Sequence, residues 1–84
     1  MSVTKLITKI ELLFNNPEFS YLHVNNNKVN ISNNQANFYI LHDNIIEIYA
    51  YTSNDKLIDI IYITLGNVYE PIHYFNIENK KTIY

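Results

Sequence analysis

Apolar residues open the chain with helical spacing. Val3, Leu6, Ile7, Ile10, Leu13 and Phe14 fall at i, i+3, i+4, i+7, i+10 and i+11, which is one stripe of a helix. Lys5, Thr8, Lys9 and Leu12 fill much of the remainder. Ser2 is placed to cap the start. Asn15-Asn16-Pro17 is placed to stop the helix, because Asn tolerates the left-handed C-terminal geometry and the residue before proline avoids the α region. The spacing predicts a helix over about 3–15. So short a helix is marginal alone in water, so its apolar face must dock on something.

After Pro17 the pattern changes to β-branched and aromatic runs of strand length at residues 19–24, 28–32, 36–42, 45–52, 57–65 and 68–75. Between them lie Asn25-Asn26-Asn27, Asn33-Asn34, Asp43-Asn44, Ser53-Asn54-Asp55 and Gly66-Asn67. Links this short hold no crossover helix, so neighbouring strands are expected to pair antiparallel as a meander over about 18–75. Tight hairpins need positive φ at their central residues, and Gly is the usual supplier. With one Gly in the chain, Asn is the next-best residue for those positions.

Face patterns differ between the runs. Val29 and Ile31 alternate with Lys28, Asn30 and Ser32, as on a sheet with one wet face. In residues 57–65 both faces are apolar: Ile58, Ile60 and Tyr62 on one, Leu57, Ile61, Ile63 and Leu65 on the other, interrupted by Asp59. That run reads as a central strand covered on both sides. Pro71 marks an edge or a bulge in the last run. The tail 76–84 holds a turn signal and one short strand candidate, Thr82-Ile83-Tyr84. The fold class that follows is α+β, a single domain over 1–84 with an N-terminal amphipathic helix packed on an antiparallel β-meander of five to six strands.

Composition sharpens this picture. Fourteen Asn and fourteen Ile stand beside no Arg, no Cys, no Trp and one Gly, a skew toward AT-rich codons and so toward a low-GC bacterium, its phages or its mobile elements. Without Cys there is no disulfide or thiolate metal site, which fits a reducing cytoplasm. The N-terminal stretch is broken by Lys9 and Glu11, unlike a secretory leader, and no run reaches the roughly 18 apolar residues of a membrane span. The chain is expected in the cytoplasm, that of the host cell if a phage encodes it, with no membrane contact. In that setting the glycosylation sequon Asn30-Ile31-Ser32 is chance.

Net charge is −2 and every basic residue is Lys, so the Arg-rich face of duplex nucleic-acid binders is missing. Candidate chemistry is sparse. His23, His42 and His73 lie on three predicted strands with no metal-ligand spacing, and separate half-exposed histidines explain them as well as a zinc site does. Asp43 beside His42, and Glu70 near His73, are the nearest acid–base pairs, but adjacent strand residues point to opposite faces. No Gly-rich phosphate loop or Cys nucleophile is present. No catalytic residue, cofactor or metal ligand is therefore expected, and the chain reads as a non-enzyme.

Tyrosine is the remaining signal. Tyr49 and Tyr51 share one strand face with Glu47, Tyr39 lies on the strand before and Tyr62 on the strand after. Were these strands to align, Tyr39, Glu47, Tyr49, Tyr51 and Tyr62 would form a partner-binding sheet face, since Tyr gives large contact area with a polar tip. Tyr is also simply a good strand former. The expected function is a small protein-binding module, an inhibitor or accessory factor of a phage or mobile element. It shares one-domain size and motif-poor character with inhibitors of bacterial defence systems, anti-CRISPR proteins among them. The expected partner is a host defence protein. Alternatives are an immunity protein or antitoxin facing a toxin, a single-stranded nucleic-acid-binding sheet, which Glu47, Asp59 and Glu70 disfavour, and a homodimer.

Overall fold

The computed structural model describes residues 3–41, 45–64 and 72–78, with side chains except at positions 41, 72 and 73. One helix, α1 (Val3–Leu13), precedes six strands: β1 (Phe19–Val24), β2 (Asn27–Asn30), β3 (Gln35–Leu41), β4 (Ile45–Thr52), β5 (Leu57–Thr64) and β6 (Ile72–Glu78). All pairings are antiparallel. The fold is α+β, a helix on antiparallel strands, as the apolar periods predict.

The helical stripe is the buried one. Leu6, Ile10 and Leu13 are buried, with Ile7 and Phe14 partly buried against the same core. The helix ends two residues earlier than its spacing predicts. Phe14, Asn15 and Asn16 donate backbone N–H groups to Glu11, Leu12 and Leu13 carbonyls, the tighter i→i+3 pattern that often finishes a helix. Asn16 then accepts from the Glu18 N–H through its side chain at 2.9 Å and from the Phe19 N–H through its carbonyl at 3.1 Å. This turn carries Pro17, and Phe14 and Phe19 meet edge-on across it at 5.7 Å.

The asparagine turns form with the backbone they were expected to need. Asn25, Asn26, Asn33 and Asn34 have φ of 46°, 69°, 52° and 58°. Two consecutive positive φ values are the mark of a two-residue type I′ hairpin, and Val24 pairs with Asn27 across the first of them. In the Ser53-Asn54-Asp55 turn it is Asp55 that takes the left-handed position, at φ 64°. The Asp43-Asn44 and Gly66-Asn67 turns, the Pro71 bulge and the strand at 82–84 lie outside the described residues.

Asn25 does more than turn the chain. Its Nδ2 donates to the Ile45 carbonyl at 3.2 Å, and its Oδ1 accepts from the Glu47 N–H at 2.8 Å, so it fastens the start of β4. A distinction follows: Asn26→Gly leaves stability within about 0.5 kcal/mol of wild type, whereas Asn25→Gly costs about 1–3 kcal/mol from two lost hydrogen bonds. Urea unfolding midpoints of the two variants check this.

Strand order departs from simple succession. β1–β2 and β4–β5 are hairpins, but the four-stranded sheet runs β2-β1-β4-β5, and β3 pairs with β6 in a second sheet. Both edges of β4 are taken, by β1 and β5, so β3 finds its partner in β6. β5, which reads as central from its apolar residues, is an edge strand among the described residues. Its inward face (Ile61, Ile63) is buried, and among the described residues nothing covers its apolar outward face.

The elements close around one core. β3 packs beside β2, β6 beside α1, and α1 beside β5. Leu6, Leu22, Phe38, Ile48, Ile61 and Ile77 all belong to a single buried cluster, and Phe38 stacks on Phe75 at 5.2 Å across β3 and β6. The smaller sheet and the helix thus cover the inner face of the larger sheet.

Candidate functional site

Strand parity sets the composition of the outer face of the four-stranded sheet. Leu22, Val24, Ile46, Ile48, Ala50, Ile61 and Ile63 point into the core, so their sequence neighbours must point out. Register then brings the outward residues into rows. Lys28, His23, Tyr49 and Ile60 form one row across all four strands, and Asn30, Tyr21, Tyr51 and Leu57 form the next. Glu47 pairs with Tyr62 beyond them. No element among the described residues covers this face. Tyr62 is 54% exposed, Ile60 51% and Leu57 45%.

One end of the face is a packed aromatic cluster. The Tyr21 and Tyr51 rings stack with centroids 5.1 Å apart, His23 lies 5.1 Å from Tyr51 and 5.5 Å from Tyr21, and Lys28 Nζ sits 4.5 Å over the Tyr21 ring. A cation over an aromatic face is favourable, about 0.5–1 kcal/mol when exposed. These neighbours leave Tyr21 only 8% exposed although it points outward.

Tyr21 also locks the β4–β5 turn. Its hydroxyl donates to Asp55 Oδ1 at 2.5 Å. The turn itself is organised by Thr52, whose buried Oγ1 accepts from the Asn54 and Lys56 N–H groups at 3.2 Å each. The bond to Asp55, then desolvation, then the charges of Asp55 and Tyr51 push the Tyr21 phenol up from 10.0 to about 12. The folded state therefore holds this proton more tightly than the unfolded state. The associated stability is complete below pH 10 and is lost as pH rises through about 12. The difference in unfolding free energy between wild type and Tyr21→Phe is expected to be constant up to pH 10 and to shrink toward pH 12. A difference that stays constant across that range contradicts the assignment.

Of the residues singled out in the sequence, Glu47, Tyr49, Tyr51 and Tyr62 come together on this face. Tyr39 does not join them: it lies opposite Tyr74 on the outer side of the two-stranded sheet, where it is exposed, because β3 pairs with β6 and not β4. Tyr21, His23, Leu57 and Ile60 belong to the face and were not anticipated. Leu22 and Val24 pointing inward already place Tyr21 and His23 outward, but the β1–β4 pairing that adds them to Tyr49 and Tyr51 is non-local.

His23 and His73 lie on different sheets, and His42 lies outside the described residues, as do Asp43 and Glu70. Among the described residues no group of three or more His, Asp or Glu side chains is placed to hold a metal ion, and no helix is long and apolar enough to cross a membrane. Compared with known proteins, the chain matches no protein-family model, no curated protein and no solved structure.

Proposed function

We propose that this protein is a non-enzymatic binding module that docks a protein partner on the outer face of its four-stranded sheet. The observation that carries the reading is the run of apolar and aromatic side chains across β4 and β5, with Leu57, Ile60 and Tyr62 exposed and Tyr49 and Tyr51 half-buried beside them. Single exposed apolar residues are ordinary, whereas a contiguous patch rimmed by polar groups marks an interaction surface. Lys28 and Glu47 supply such a rim at opposite sides. Tyr-rich surfaces bind at low entropy cost, because each ring brings a large area on two torsions.

A phosphate backbone is a poorer match for this face. Its basic group, Lys28, is engaged with the Tyr21 ring, and Glu47 and Asp55 add negative charge. No mobility shift of single-stranded RNA is expected even at low salt, where phosphate contacts are strongest. The AT-rich composition and single-domain size favour a phage or mobile-element inhibitor acting on a host defence protein in the host cytoplasm. A toxin is the alternative partner.

A photo-crosslinking amino acid at position 60, with position 9 on the exposed side of α1 as control, tests the reading in cells. The expected result is a discrete crosslink to a different protein from position 60 and none from position 9. Crosslinking from position 60 only to a second copy of the chain makes the face a homodimer interface and overturns the proposal. Equal crosslinking from both positions overturns it as well.

A further inference from the structure

Two strand edges face each other across an open cleft that begins where the four-stranded sheet ends at β2. β2 pairs with β1 alone and β3 with β6 alone among the described residues. The two strands join at the Asn33-Asn34 turn, where Ser32 and Gln35 exchange backbone hydrogen bonds of 3.2 and 2.9 Å. Beyond that single bridge the hairpin opens into a cleft of about 710 Å³, within the range of roughly 300–1,000 Å³ that ligand sites occupy.

Backbone groups alternate sides along a strand, so the bridge fixes which ones face the cleft. The Gln35 bonds point toward β2, which puts the peptide groups of Asn37 and Tyr39 on the same edge. The Ser32 bonds point toward β3, which puts those of Asn30 and Lys28 on the facing edge. The Asn25-Asn26 turn gives the same phase independently. A two-residue loop makes Val24 and Asn27 bonded partners, so Lys28 is left to bond outward. Among the described residues no cross-strand hydrogen bond takes up these four outward peptide groups.

The side chains around the cleft alternate as well. Val29, Phe38 and Ile40 form its inner side, while Lys28, Asn37 and Tyr39 form its outer side. Among the described residues Lys28 is the one charged residue in the lining. Paired open edges, an apolar floor and a single cation at the rim describe the complement of one kind of ligand.

We propose that the cleft receives an extended peptide segment of a partner protein, inserted as a strand between β2 and β3. Its backbone would bond the open groups of both edges, running parallel to one and antiparallel to the other. Its inward side chains would be apolar, to meet Phe38 and Ile40, and an outward carboxylate would lie opposite Lys28. Strand addition of this kind draws affinity from main-chain bonds and specificity from alternate side chains. The cleft shares Lys28 and Asn30 with the border of the sheet face but none of Tyr49, Tyr51, Leu57, Ile60 and Tyr62, so either proposal can fail while the other stands.

Amide exchange on the ¹⁵N-labelled full chain tests it. In the free protein the Lys28, Asn30, Asn37 and Tyr39 amides should exchange quickly, while Phe38 and Ile40, which bond β6, exchange slowly. Addition of acetyl-Val-Thr-Val-Glu-Val-Thr-amide to about 1 mM should slow the four open amides by about tenfold. The same peptide N-methylated at alternate residues should not. Asn37→Pro removes one open donor without touching the β6 ladder, and Lys28→Glu reverses the rim charge; each should abolish the slowing. Should the proline variant fail to fold, Lys28→Glu decides alone. Open amides already as protected as Phe38 in the free protein, or a response equal for the N-methylated peptide, or no slowing at all, overturns the proposal.

Discussion

Ile48→Ala is expected to destabilise the protein by about 2–5 kcal/mol, the cost of deleting a fully buried branched side chain and leaving a cavity. Ile48 has no exposed surface. It sits mid-strand in β4, paired with Val24 on one side and Ile61 on the other, so the cavity is walled by strands on both flanks and relaxes little. A domain of this size is stable by only about 5–15 kcal/mol, and each lost kcal/mol lowers Tm by about 4–8 °C. The variant should therefore melt at least about 8 °C below wild type. Ile60→Ala is the matched control: the same chemistry one strand over, on the outward side. Its expected cost is within about 0.5 kcal/mol. Calorimetric melting of both variants checks the pair. A cost for Ile60→Ala equal to that for Ile48→Ala would mean that the outer face is covered.

The second large effect falls on binding. Replacing Tyr49 and Tyr62 together by Ala should weaken the partner's affinity by on the order of 100-fold or more, since aromatic anchors near an interface centre typically contribute about 2 kcal/mol each. Tyr49 belongs to the row that crosses all four strands, and Tyr62 is among the most exposed side chains on the face. The two are near diagonal neighbours, through the Tyr49–Ile60 and Glu47–Tyr62 pairs, so their effects are not expected to add exactly as independent sites would. Folding should survive, because neither side chain belongs to the buried core. Unchanged far-UV circular dichroism alongside lost affinity separates a binding defect from an unfolded chain.

What the sequence makes legible here is local. The helix and the strands announce themselves by period, because a buried stripe or a buried face repeats every 3.6 or 2 residues. The Asn pairs announce their turns, because a chain with one Gly has few other residues that tolerate positive φ. Pairing between strands distant in sequence leaves no such trace. β1 with β4 and β3 with β6 have the same alternating pattern as any other partners would, so Tyr39 is placed with Tyr49 by succession and with Tyr74 by the fold. β5 shows the same limit from another side. Apolar residues on both its faces suggest a covered central strand, yet among the described residues it is an edge strand with no cover on its outer side, and a register shift between Ala50 and Tyr51 turns Leu57 outward beside Ile60 and Tyr62. The apolar residues that mislead about position in the sheet are the ones that mark the surface.

The face and the cleft predict different outcomes for one set of variants. Tyr39 and Tyr74 border the cleft, whereas Tyr49 and Tyr62 lie on the outer face of the other sheet. Titration calorimetry of the partner captured from position 60 is the most direct test of the sheet face. It should use wild type, Tyr49→Ala with Tyr62→Ala, and Tyr39→Ala with Tyr74→Ala as a matched loss of two exposed tyrosines. The first pair of substitutions is expected to remove on the order of 100-fold in affinity, and the second to leave the sheet-face contribution intact, within about threefold of wild type. Equal affinity for wild type and the Tyr49/Tyr62 variant, or a loss confined to the Tyr39/Tyr74 variant, would contradict the sheet-face proposal.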